Sequence, residues 1–263
     1  MDLGLRGAKV LVTAASSGLG AATARRFSME GAQVVINSRS LDKLQATAKA
    51  INEASGNPVF TLAADVTDAE AAQRMVRNSA EMLNGLDILV TNAGGPPAGT
   101  FEDFDVEAWR KAIDLNLVST ISLIQAALPF LKQSSRAAIL TVTSVSAKQP
   151  IDNLILSNTV RPAVLGLTKS LSQELGAQAV RVNSILPGTT DTERIQELMR
   201  SRSKANSTSI EEEEEKAARS IPLQRIGTPE EFANAAVFLC SPAASFINGV
   251  ALQVDGGAVK STV

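Results

Sequence analysis

Residues 13–20, Thr-Ala-Ala-Ser-Ser-Gly-Leu-Gly, form a run of small side chains between an apolar stretch, 10–12, and a helical-looking segment, 21–30. Three residues separate positions 14 and 18, and one separates 18 and 20. This is the wider G-x-x-x-G-x-G spacing, with Ala14 in the place of the first glycine. A strand, a tight turn and a helix start in this order can bind a dinucleotide. Small side chains let the backbone approach a pyrophosphate, and the first turn of the helix offers unpaired N–H groups and a positive dipole end. Taken alone, the run also fits a glycine-rich strand-to-helix turn without a ligand.

The proton chemistry open to the chain is restricted. Its 263 residues include no histidine and no tyrosine. Acid–base work near neutral pH must use a carboxylate, a lysine, Cys240, water or the substrate itself. One cysteine permits no intrachain disulfide and no thiolate metal cluster, and the neighbours of Cys240, Val237-Phe238-Leu239, predict a buried thiol. A net charge of −2 gives no electrostatic reason to bind nucleic acid or an anionic membrane. No apolar run is read as a membrane span and residues 1–9 lack an h-region, so a soluble, cytoplasmic setting without metal is expected. At 44% hydrophobic residues the chain is long and apolar enough for one large core.

The elements that must position these residues alternate along the sequence. Strand patterns are read at 33–37, 59–63, 86–91, 138–144, 180–186 and 251–254, with helical patterns between them. Leu41, Leu44, Ala48 and Ile51 repeat at helical spacing. Asp68 is a plausible cap for a helix to Met82, and a long helical segment runs over 106–131. Another spans 157–175. Thr228-Pro229-Glu230-Glu231 is a helix start with N-cap, first-turn proline and capping-box glutamate. Repeated strand–helix units predict an α/β fold, a doubly wound parallel sheet with helices on both faces, in a single domain over 1–263. Residues 189–221 break the rhythm. They are polar, carry the acidic run 211–215, and place Ser209 three residues before Glu212, which predicts a short capped helix. Such an excursion after a strand end predicts a substrate lid, against the alternative of a solvated insertion.

By Thr91-Asn92-Ala93-Gly94 the chain resembles the short-chain dehydrogenase/reductase family. The resemblance spans nearly the whole length: the turn 13–20, Asp65-Val66, Asn116, Thr143-Ser144-Val145, Pro187-Gly188 followed by Thr192, Asn248-Gly249, and Val254-Asp255-Gly256-Gly257. It implies a seven-stranded, Rossmann-type three-layer sheet that binds a nicotinamide dinucleotide, usually in a homotetramer or dimer packed through the long helices. It also assigns cofactor positions. Thr13, Ala14, Ser16, Ser17, Gly18, Leu19 and Gly20 would form the phosphate and ribose turn. Asp65 and Val66 would hold the adenine, and Asn92, Ala93 and Gly94 would lie along the ribose. Pro187, Gly188 and Thr192 would meet the nicotinamide. About 20 residues past the glycines, where a carboxylate would bond the 2′-hydroxyl of NAD, stand Ser38 and Arg39. A hydroxyl beside a guanidinium suits a 2′-phosphate, so NADP(H) is preferred, with NAD(H) possible if Arg39 is only a solvated charge.

One departure bears on mechanism. The family uses a Ser, a Tyr thirteen residues later and a Lys four after that. Ser144 fits the first place, but the other two hold Ser157 and Arg161, followed by Pro162, which is expected to kink or restart the helix. A phenol near pKa ~10 can be tuned to donate a proton; an aliphatic hydroxyl is a far weaker acid, and arginine keeps its proton. Three readings stand. The first is a reductase of carbonyl or 3-oxoacyl compounds with Ser144, Ser157 and Arg161 as a hydrogen-bonding cradle and Asn116 holding the proton-carrying water. Lys148 or Asp152 could instead supply the proton. The second is a non-catalytic dinucleotide sensor or partner subunit. The third is other nicotinamide chemistry, such as reduction of an activated double bond or of an anionic substrate gripped by Arg161.

Overall fold

The computed structural model describes residues 2–262. Seven parallel strands, β1 (Lys9–Val12), β2 (Gln33–Ser38), β3 (Val59–Ala63), β4 (Ile88–Thr91), β5 (Ala138–Val142), β6 (Arg181–Pro187) and β7 (Ala251–Val254), lie in the order β3-β2-β1-β4-β5-β6-β7. The order reverses between β1 and β4, which pair with Val10 opposite Ile88 and Val12 opposite Val90. A crevice opens at such a switch point beyond the strand ends, and the glycine turn leads directly into it.

Alternation along the strands divides the core. Val10, Val12, Val34 and Ile36 pack on one face with Ala24 and Phe27 of α1 (Gly18–Met29), Leu44 and Ile51 of α2 (Leu41–Ser55), and a further helix, Pro229–Cys240. Leu11, Val35 and Leu89 point the other way, onto Met75, Val76 and Leu83 of α3 (Ala69–Leu83) and onto the long helical stretch 106–131. Asp68 caps α3 as its spacing predicts, accepting from the amides of Glu70 and Ala71 at 3.0 Å each.

The long stretch is not one uniform helix. α4 (Val106–Ile113) and α5 (Ser119–Leu131) are joined by a wider π turn, Asp114–Val118, which contains Asn116. A π turn inserts one residue into the i→i−4 ladder and re-aims the side chains around it. By length and composition 106–131 meets the criterion for crossing a membrane, contrary to the reading of its apolar run. Its Leu123, Ile124, Ala127 and Leu131 are instead spent on the core of the sheet.

Pro162 does not break its helix. α6 (Ile155–Gly176) continues through it. The first turn is anchored by Asn158, whose side chain bonds both the amide and the carbonyl of Ile151 at 3.1 and 2.9 Å. Val160 and Leu156 are buried against Ala112 of α4, Val164 is buried, and Leu175 joins the core of the sheet, so packing outweighs the bond that proline removes. The polar region 189–221 folds as two helices, α7 (Glu193–Asn206) and α8 (Ile210–Arg219). The Ser209–Glu212 capping box forms in both directions, at 2.9 and 3.1 Å. α9 (Pro229–Cys240) begins with the same device at Thr228 and Glu231.

The β1–α1 turn is the tightest approach in the fold. A Cβ on Gly20 would lie 2.4 Å from the carbonyl oxygen of Ala14 and 2.9 Å from Asn92 Nδ2, so only glycine fits there. Ala14 itself holds a left-handed φ of 46°, a conformation that costs a non-glycine residue about 1–2 kcal/mol. Ala14→Gly should therefore raise the unfolding free energy by about 1 kcal/mol in a urea titration.

Candidate active site

Beyond the C-terminal ends of β1, β4, β5 and β6 lies a cavity of about 550 Å³. It brings together Ala14, Ser17, Gly18, Leu19 and Arg39 from one side, Asn92, Ala93 and Gly94 from the loop after β4, and Ser144, Ser157 and Arg161 from β5–α6. Pro187, Gly188 and Thr192 close the far side. Residues from five separate chain segments thus face one space.

The dinucleotide turn is built to receive an anion. Ser17 is the N-cap of α1, yet its side chain makes no capping bond, so the first amides of the helix have no side-chain acceptor. Gly18 has φ 55° and faces Thr192, whose side chain would lie 3.5 Å from an added Cβ. Thr192 also caps α7, accepting from the Ile195 amide at 3.4 Å. Gly188 leaves no room for a side chain against Asp255, 2.6 Å from an added Cβ.

Several expected cofactor positions lie behind this lining. Thr13 is fully buried; its hydroxyl donates to the Asn92 carbonyl at 2.7 Å and accepts from the Asn92 amide at 2.9 Å. Asn92 Nδ2 donates in turn to the Ala14 carbonyl at 3.2 Å. Thr13 and Gly20 therefore shape the turn rather than line the cavity. The Ser16 carbonyl accepts from Thr47 of α2, and the Ser38 hydroxyl donates to the Ser40 carbonyl at 3.3 Å. Val66 packs into the core beneath β3. Burial opposes ionisation of Asp65, but two bonds from Thr67 and the Arg39 charge hold its carboxyl below the ordinary value.

Around β5 and α6 three serines are linked in an order that spacing alone does not disclose. The Ser144 hydroxyl accepts from the Ser146 amide at 3.1 Å, and the Ser146 and Ser157 hydroxyls share a bond of 2.9 Å. Ser157 and Arg161 are both only 7% exposed. The Arg161 guanidinium donates to the Val142 carbonyl at the end of β5 at 3.1 Å, while its Nε has no partner. Burial, and then the nearby charge of Arg194, push its pKa down to about 10, so it remains a cation at neutral pH. Asn116 is buried in the π turn against α6; its Nδ2 donates to the Ala112 carbonyl at 3.1 Å and its Oδ1 has no partner. Lys148 reaches Gln253 at 3.4 Å, and Asp152 borders a second cavity rather than this one. Cys240 is 1% exposed, and burial raises its thiol to about 12.

The expected list omits the lining supplied by α7: Glu193, Arg194, Ile195, Glu197 and Leu198. Arg194 donates to the carbonyl of Pro96 at 2.9 Å and so ties α7 to the loop after β4. A usable signal was present, since Thr192 as an N-cap places Arg194 at the second helical position, facing the strand ends.

Residues 13–259 match the family described as Enoyl-(Acyl carrier protein) reductase. The Dehydrogenase/reductase SDR family member 4 of Oryctolagus cuniculus is 34% identical over 249 residues, covering 94% of this chain and 92% of that protein. The chain is a short-chain dehydrogenase/reductase. Among solved relatives, the L-sorbose reductase of Gluconobacter frateurii, complexed with NADPH and L-sorbose, superposes with a TM-score of 0.94 at 32% identity, over 99% of this chain and all of that one. A short chain oxidoreductase from Pseudomonas aeruginosa PAO1, described as containing an atypical catalytic center, superposes at 0.91 with 31% identity, over 98% of this chain and 100% of that one. The family uses nicotinamide cofactors, and the uncapped α1 amides, the glycine approach and the open space at Gly94 fit such a group.

Arg161 is costly to the stability of this short-chain dehydrogenase/reductase. A buried guanidinium with one bond and no counter-ion among the described residues is unfavourable. Arg161→Met should raise the unfolding free energy of the cofactor-free protein by about 1–2 kcal/mol in urea titrations.

Proposed function

We propose that this protein is an NADP(H)-dependent oxidoreductase that interconverts a carbonyl and an alcohol, with Ser157 and Arg161 in the places where the family has Tyr and Lys. The observation that carries the reading is the shared cavity: Ser144, Ser157 and Arg161 line the same space as the glycine turn and Pro187-Gly188. The NADPH-bound sorbose reductase supports the choice of cofactor and of reaction class. Arg39 at the cavity edge supplies the charge that a 2′-phosphate needs, and no carboxylate occupies Ser38.

When bound, the reduced nicotinamide supplies a hydride to the carbonyl carbon, and the oxygen must gain one proton to complete the alcohol. Ser144 is placed to donate a hydrogen bond to that oxygen, and Arg161 to stabilise its negative charge. Ser157, joined to Ser146, completes the cradle but is too weak an acid to replace a phenol. Arg161 does not release its proton at working pH. The proton comes from water, and the unpaired Asn116 Oδ1 beside α6 is the acceptor that would hold it. Ordered positioning of carbonyl and hydride survives the exchange of residues; loss of the tuned acid costs about 10²–10⁴ in rate.

On this reading 189–221 is the substrate lid: the first turns of α7 wall the cavity, and Arg194 latches them to Pro96. The exposed Val106, Ile113 and Val118 give the long helices an apolar face for homo-oligomer formation.

Two measurements test the reading. Arg39→Glu should weaken NADPH binding at least ~10-fold relative to NADH, read by nucleotide fluorescence titration. The pair Ser157→Tyr with Arg161→Lys should raise NADPH oxidation with ketones by ~10²–10⁴ over wild type. A sensor or partner subunit would instead bind NADPH and oxidise none with any carbonyl or enoyl compound tested.

A further inference from the structure

Two cations share the active cavity, and neither is ion-paired among the described residues. Arg161 is 7% exposed, has a single hydrogen bond, to the Val142 carbonyl, and keeps an unpaired, buried Nε. Arg194 enters from α7 on the lid side, and its one hydrogen bond among the described residues goes to Pro96. Neither forms a salt bridge among the described residues. Arg194 is exposed at the rim together with Glu193 and Glu197, which also border the cavity but pair with neither arginine among the described residues. The charge of Arg194 adds to burial in raising the cost of keeping Arg161 charged.

A buried cation is tolerated where a partner arrives with the ligand. A planar guanidinium fork matches a carboxylate, and two forks at one cavity match an acid held beside its reacting group. We infer that Arg161 and Arg194 form a carboxylate subsite, so that the substrate is a small oxo acid bound as its anion next to Ser144 and Ser157. This rests on the reductase reading above and names its substrate class. The cavity, about 550 Å³ in all, must also admit the nicotinamide end of the cofactor, which restricts the acid to a few carbons. A pyrophosphate has its own donors at the α1 amides.

Acetoacetate and its methyl ester, alike at the ketone but one an anion and the other neutral with one added methyl, are the probes. Thermal melting of the protein with each probe gives a readout independent of turnover, and NADPH oxidation gives a second. The acid is expected to raise the melting temperature where the ester does not, and to be favoured roughly tenfold or more in kcat/KM. Arg194→Gln should close most of that gap with NADPH affinity unchanged, and Arg194→Lys should restore part of it. Equal effects of acid and ester on wild type would overturn the subsite. So would an Arg194→Gln protein that keeps the preference for the acid but binds NADPH more weakly, since the cation would then serve the diphosphate. Failure of NADPH to bind wild type at all would instead remove the reductase reading beneath it.

Discussion

The guanidinium of Arg161, held in the interior by the last carbonyl of β5, is the constraint around which the site is arranged. Removing such a charge from water is costly, and one neutral acceptor repays only part of the cost. The remainder must come from the scaffold. α6 supplies it by burying Leu156, Val160 and Val164 on either side of the arginine, and by fastening its first turn to Ile151 through Asn158. The π turn at Asp114–Val118 packs against the same helix and brings a second unsatisfied polar atom, Asn116 Oδ1, into the interior. Unpaired buried donors and acceptors are rare in folded proteins and tend to mark places where a ligand or water completes the structure. Here one of them, Arg161 Nε, belongs to a cavity residue, and the other lies in the π turn packed against the same helix.

The opposite wall obeys a different constraint, close approach of backbone. Gly20 permits α1 to start against Ala14 and Asn92, and the Thr13–Asn92 pair locks the turn to the loop after β4. Both partners sit at the reversal of strand order. A ligand bound in the crevice is therefore gripped by elements from both halves of the sheet. Ala14 in a left-handed conformation shows that the wider spacing can be met without glycine at its first position, at a cost in strain.

Much of this was legible in the sequence because it is set locally. Strand 59–63, the Asp68 cap, the Ser209–Glu212 and Thr228–Glu231 boxes and the buried Cys240 each follow from a few adjacent residues, and the structure places them as expected. What was not legible depends on packing across the chain. The helix propensity of 106–131 gives no sign of the π turn within it. Pro162 predicts a kink or a restart, yet α6 runs through it with Val160 and Val164 buried on either side. Spacing names Ser144 and Ser157 but not the intervening Ser146 that joins them. Arg194 belongs to a polar region read as a lid from its place after a strand end, but the composition of that region does not single it out, and the place of Arg194 at the cavity follows from where α7 begins.

The exchange proposed at 157 and 161 changes what the site can do in a consistent direction. A tyrosine and a lysine divide the work: one moves a proton and the other tunes it. A serine and an arginine cannot divide it that way, since neither exchanges a proton readily near neutral pH. Their common capability is to hold negative charge, the serine through a neutral hydrogen bond and the arginine through a permanent cation. A site so equipped gains most where the oxyanion formed by hydride addition is stabilised before it is protonated, and where water delivers the proton afterwards. It also gains where the substrate arrives already charged, because an anion neutralises Arg161 in the ground state and offsets the desolvation penalty of the buried guanidinium. Those two demands compete. A carboxylate that takes the whole guanidinium leaves less of it for the oxyanion, and a substrate bound too well in the ground state gains nothing in the transition state. A second cation resolves the competition: Arg194, mounted on a separate helix, can hold the carboxylate while Arg161 faces the reacting oxygen. On the proposed reading α7 then contributes binding energy as well as cover, and the chemistry depends on its being in place.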